Sequence, residues 1–107
     1  MDDPVVAQLA AYNAHDVDAF VACYATDAEI VDGAGVTLMA GHAEMREKYA
    51  ELFAHHPDVH ADVGERLRER DWVVDHEVVH TGTGARGYLV AYRVHEAVID
   101  RVVILGG

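Results

Sequence analysis

Apolar residues along this chain change their spacing once. Before Pro57 they recur every three or four residues, and after it they alternate. Val5, Leu9 and Tyr12 fall at i, i+4 and i+7, which predicts an amphipathic helix ending near Ala14, and Pro4 suits its first turn. Asp16 is placed to cap a second helix with the stripe Val17, Phe20, Val21 and Tyr24. Ala28 to Val31 reads as a short strand ending at Asp32, and Gly33 and Gly35 mark a loop. Gly41 and His42 open a third helix with the stripe Met45, Tyr49, Leu52 and Phe53. Pro57 bars its continuation, because the residue before proline disfavours helix.

Strands follow. Val59, Ala61, Val63, Glu65 and Leu67 alternate with His60, Asp62, Gly64 and Arg66. A turn near Glu69-Arg70-Asp71 leads to Trp72–Thr81, a run rich in β-branched residues. Gly82-Thr83-Gly84 is a second turn, and Gly87–His95 and Val98–Leu105 pair around Glu96-Ala97. Three helices followed by long strands predict an α+β fold, with the helices on one face of a curved antiparallel sheet. At 107 residues the chain is expected to be one domain, 1–107.

His76-Glu77-Val78-Val79-His80 matches the zinc-protease pattern H-E-x-x-H. That chemistry needs a helix, where residues i and i+4 share a face and reach one ion. In a strand, four residues span about 13 Å at roughly 3.3 Å each, so His76 and His80 do not meet at one zinc. The strand places Trp72, Val74, His76, Val78 and His80 on one face and Val73, Asp75, Glu77, Val79 and Thr81 on the other. The Trp, Val and His face is the expected pocket wall. The face with Asp75 and Glu77 is expected to be solvated or packed against a partner.

Two segments carry a family resemblance: Ala11-Tyr12-Asn13-Ala14-His15-Asp16 through Tyr24-Ala25-Thr26-Asp27-Ala28-Glu29-Ile30-Val31-Asp32, and Gly41-His42-Ala43-Glu44-Met45 to Phe53. Together they resemble the SnoaL-like and ketosteroid-isomerase-like branch of the nuclear transport factor 2-like superfamily. The resemblance implies a cone-shaped domain around one apolar pocket, pairing as a homodimer through its sheet. In the isomerases an aspartate ends the strand after the second helix and moves a proton, and Asp32 holds that place. Tyr24 and Tyr49 match tyrosines that support the pocket. Gln8 stands where the isomerases have a donor tyrosine, with Tyr12 one turn further on, and Val90 stands where they have a protonated aspartic acid. Epoxide hydrolases and polyketide cyclases of the same superfamily place acid–base groups on later strands, where Asp75, Glu77, Arg93 and Asp100 are available here.

The resemblance therefore points to proton transfer next to a carbonyl of an apolar cyclic compound, without a cofactor or metal. Asp32 is the expected base, and His76 or Tyr12 the group that steadies the enolate. Tyr24, Tyr49, Trp72, Val74, Val78, Tyr88, Val90 and Tyr92 are the expected ligand contacts. The alternative is a non-catalytic ligand-binding or dimerising domain, which the absence of donors at Gln8 and Val90 favours.

Composition narrows the partners. The formal net charge is −11, with 19 acidic against 8 basic residues, which argues against nucleic acid and anionic membrane. No apolar run approaches the roughly 20 residues of a membrane span. The acidic start, Met1-Asp2-Asp3-Pro4, lacks the basic and apolar regions of a signal peptide. Cys23 is the only cysteine, so no internal disulfide forms, and a cytoplasmic location is expected.

Overall fold

The computed structural model describes residues 3–106. Helices α1 (Pro4–Asn13) and α2 (Val17–Ala22) precede strands β1 (Tyr24–Asp32) and β2 (Thr37–Ala40). Helix α3 (Gly41–His55) leads to β3 (His60–Glu69), β4 (Trp72–Thr81), β5 (Gly84–His95) and β6 (Val98–Gly106). The helix starts follow the sequence signals. Asp3 accepts from the Val5 amide at 2.9 Å, and Asp16 caps α2 by accepting from the Ala19 amide at 3.1 Å. Among the described residues no helix is long and apolar enough to cross a membrane.

All six strands form one curved sheet in the order β2-β1-β6-β5-β4-β3. It is not wholly antiparallel, because β1 runs parallel to β6. The chain between them contains a helix and four strands, long enough to return in the same direction. Tyr24 opens β1 instead of closing α2. The Ile99 amide bonds the Cys23 carbonyl at 2.9 Å, so pairing with β6 takes over the backbone just after Ala22. Strand β2 lies in the stretch read as loop. Its four residues are mostly exposed and carry no alternation, so only the ladder to Glu29–Val31 reveals it.

The corner between α1 and α2 is anchored on both layers. Asn13 donates to the Ala61 carbonyl at 3.0 Å and accepts from the Ala61 amide at 2.8 Å, which ties the end of α1 to edge strand β3. His15 sits in the left-handed region at φ 56°; its ring contacts the Val59 carbonyl at 2.7 Å and stacks on Phe53 at 4.6 Å. At the core Phe20 meets Tyr24 and Tyr49 with ring centroids 5.1 and 4.4 Å away, and Val5, Ile30, Met45 and Ile99 are fully enclosed around it. Glu96 and Ala97 both take positive φ, as a tight two-residue hairpin requires, and so join β5 to β6.

The faces of β4 are the reverse of the sequence expectation, and β3 changes face part-way along. On β4 the buried positions are Val73, Asp75 and Glu77, whereas His76 is exposed and Trp72, Val74 and Val78 lie on its outer face. Pairing explains this. Val73, Asp75 and Glu77 stand opposite Tyr92, Val90 and Tyr88 on β5, and opposed residues share a face. On β3 the register shifts between Val63 and Arg66. That bulge turns Arg66 inward opposite Asp75 and leaves Leu67 68% exposed on the outside.

Candidate functional site

Between the helices and the inner face of the sheet lies a cavity of about 320 Å³. All five tyrosines of the chain, Tyr12, Tyr24, Tyr49, Tyr88 and Tyr92, line it. Apolar side chains including Phe20, Ile30, Val90 and Val102 make up most of the remaining wall, and Glu77 is the one charged residue in it. The cavity is roughly twice the ~150 Å³ that accommodates a benzene, so an enclosed guest has about two rings.

Glu77 is only 9% exposed and sits at the head of a directed hydrogen-bond chain. The Tyr24 hydroxyl donates to Gln8 Oε1 at 3.2 Å. Gln8 Nε2 donates to the Tyr92 hydroxyl at 3.3 Å and to the Val5 carbonyl at 3.1 Å. The Tyr92 hydroxyl donates to Glu77 Oε2 at 2.5 Å. Each donor points toward the carboxylate, so the links polarise one another in favour of charge on Glu77. Every fully buried polar side-chain atom among the described residues has a partner, and the Glu77 side chain lines the cavity.

Burial pushes the Glu77 carboxyl above the ordinary value. The Tyr92 hydrogen bond opposes that shift, the nearby Asp75 charge adds to it, and Arg66 offsets part of it. The tyrosines respond in turn. Tyr12 is pushed up to about 12 by burial, then by the charges of Glu77 and Tyr88. Tyr24, Tyr49 and Tyr92 are also raised, by burial first and then by neighbours that include Glu77. Their hydroxyls therefore stay protonated at neutral pH and act as hydrogen-bond donors.

The raised Glu77 value fixes the sign of a stability effect. Between about 4.5, the value in the unfolded chain, and the higher folded value, the folded state binds more protons than the unfolded state. The Glu77 contribution is present below that window and is lost as pH rises through it. Thermal unfolding of wild type and Glu77→Gln at steps between pH 4 and 8 should show the wild type losing ground to the variant as pH rises. Parallel curves would mean that Glu77 titrates normally.

Asp32 closes β1 and is committed elsewhere. Its Oδ1 accepts from the Ala34 amide at 2.9 Å and the Val36 amide at 3.0 Å, which makes the turn into β2. It is not among the cavity residues. His76 projects from the outer face beside Gly64 and Gly87 and is not among the cavity residues. Trp72 is on that same face, with the Arg93 guanidinium 5.9 Å above its ring, and Arg93 bonds Asp100 at 2.7 Å. So Tyr12, Tyr24, Tyr49, Tyr88, Val90 and Tyr92 are brought together, and Asp32, His76, Trp72, Val74 and Val78 are not.

Gln8 and Glu77 are the two polar groups at the centre of the site. Gln8 had a visible signal: it is a polar residue one turn after Val5 on the apolar stripe of α1. Glu77 had one in the strand pairing described above.

Comparison with known proteins agrees with this architecture. No curated protein matches the chain. An uncharacterized cystatin-fold protein from Novosphingobium aromaticivorans superposes with a TM-score of 0.90 at 25% identity, over 97% of each chain. A protein of ketosteroid-isomerase-like fold from Catenulispora acidiphila, solved with trimethylamine, gives 0.80 at 22% identity over 97% of this chain and 85% of that one. IdmH from Streptomyces antibioticus, a candidate polyketide cyclase, gives 0.78 at 19% identity over 95% and 88%. These last two likenesses establish the fold. The SnoaL-like domain matches residues 5–102, nearly the whole chain, and the protein belongs to that family.

Proposed function

We propose that this protein binds an apolar cyclic ketone of about two rings and moves a proton next to its carbonyl, with Glu77 as the base. One observation carries the reading: a single buried carboxylate, with raised proton affinity, faces a mostly apolar, tyrosine-lined cavity that holds no other charged side chain. A base works best when its pKa approaches the working pH, and burial moves Glu77 that way. Glu77 Oε1 would take the proton from the carbon beside the carbonyl. The Tyr12 or Tyr49 hydroxyl would donate to the oxygen as it gains charge, and Glu77 would return the proton to carbon.

A bicyclic ketone such as 2-tetralone tests this, with solvent deuterium exchange beside its carbonyl followed by proton NMR. Catalysed exchange by wild type supports the reading. Binding without exchange favours the second reading, a ligand-binding domain without catalysis. The internally satisfied chain from Tyr24 through Gln8 and Tyr92 speaks for that alternative, since it holds Glu77 without any guest.

Asp32 serves as the control. Asp32→Ala removes an acceptor shared by two backbone amides and should cost about 1–3 kcal/mol of stability in urea unfolding. Exchange should stay within a few-fold of wild type. Loss of exchange in a folded Asp32→Ala protein would return the role of base to Asp32.

A further inference from the structure

The outer face of the sheet, turned away from the cavity, brings together three side chains with metal-binding chemistry. His60 and His80 are cross-strand partners on β3 and β4, and their rings stack with centroids 4.7 Å apart. Asp62 lies two residues along β3 on the same face. Its Oδ2 is 3.0 Å from His80 Nε2 and 3.8 Å from His60 Nε2. One donor atom from each residue falls within 4.8 Å of the other two.

These separations suit a small ion. Nitrogen and oxygen ligands lie about 2.0–2.2 Å from zinc, so neighbouring ligand atoms in one coordination shell stand roughly 3–3.5 Å apart. His60 must close on Asp62 by a few tenths of an ångström, and the stacked His60 and His80 rings must turn so that both nitrogens aim at one ion; the His60 side chain is half exposed, which leaves room for that turn. Two imidazoles and one carboxylate suit zinc, copper or nickel, whereas magnesium and calcium favour oxygen ligands.

We propose that His60, Asp62 and His80 form a binding site for a divalent ion of the zinc, copper and nickel group. The site contains one histidine of the H-E-x-x-H pattern and dispenses with the other. His76 sits four residues away along a strand, and Glu77 points into the cavity. The second imidazole comes from across the ladder. A bound ion would clip β3, an edge strand of the sheet, to the end of β4. Three protein ligands leave coordination positions open to water, as the exposure of Asp62 allows.

The test uses untagged protein stripped with a chelator and titrated with zinc chloride in a calorimeter. Histidine ring signals are followed by NMR in parallel. One equivalent of zinc should bind, moving the ring signals of His60 and His80 but not His76. His60→Ala and His80→Ala should each weaken binding by at least the roughly 10–100-fold that losing a supporting group costs at other metal sites. His76→Ala should leave it unchanged. All three positions face outward, and circular dichroism checks that each variant is folded. The proposal is overturned by an absence of saturable binding up to about 1 mM zinc, a limit that no specific three-ligand site would reach. Binding that survives both the His60 and His80 replacements, or that disappears with His76→Ala, overturns it equally.

Discussion

Glu77→Gln should slow deuterium exchange of a bound bicyclic ketone by about 10²–10⁴-fold, the range a positioned general base contributes. Binding of the same ketone, followed by Trp72-independent tyrosine absorbance, should change much less. Glutamine keeps the shape of the side chain and can still accept from the Tyr92 hydroxyl, so the cavity and the chain from Tyr24 through Gln8 persist. Only the ability to take up a proton is removed. Folding should not suffer, because the substitution replaces a carboxyl whose charged form burial disfavours. This separates chemistry from structure: a large loss of exchange with preserved binding and an unchanged or raised melting point. Exchange at the wild-type rate in Glu77→Gln would remove Glu77 as the base and, if Asp32→Ala also retained it, would remove Asp32 as well and require a different base.

The sequence made the fold legible and the inside of the sheet much less so. The change of period after Pro57, the cap at Asp16 and the turn at Glu96-Ala97 each rest on local chemistry, and the structure keeps all three. The orientation of β4 does not rest on local chemistry. Trp72, Val74 and Val78 look like a core face, while the opposite face carries two carboxylates. Alternation says which residues share a face but not which face is inside. The hairpin decides. Thr81 pairs with Gly84 across a two-residue loop, which puts Glu77 opposite Tyr88 and Asp75 opposite Val90. Placing Tyr88, Val90 and Tyr92 on the inner face therefore already required Glu77 and Asp75 to share that face, and excluded Val74 and Val78. The bulge in β3 had one local signal, Gly64, since an isolated glycine inside a strand often marks a bulge. One extra residue between Val63 and Arg66 reverses the faces beyond it, and only the pairing with β4 shows that it does.

That bulge makes the second large effect. Arg66→Met is expected to destabilise the protein by about 3–5 kcal/mol in urea unfolding, the usual consequence of removing one partner from a buried ion pair. Asp75 is fully buried, and Arg66 holds it through two parallel bonds, Nε to Oδ1 at 2.6 Å and Nη2 to Oδ2 at 2.8 Å. The Arg66 side chain is only 22% exposed, so water cannot fully replace it as the counter-charge. Replacing both residues, Arg66→Met with Asp75→Leu, should recover most of the loss, because a well-packed apolar pair carries no desolvation penalty. A single variant costing less than about 1 kcal/mol would mean that water already screens the pair as it does at a surface. The same experiment bears on the cavity. Asp75 raises the proton affinity of Glu77 and Arg66 lowers it, so the two charges of the pair act on Glu77 in opposite directions. Arg66→Met unbalances them and should move the acid limb of the exchange profile to higher pH. The double variant should bring it back toward the wild-type position. An ion pair that served packing alone would change stability and leave that limb where it was.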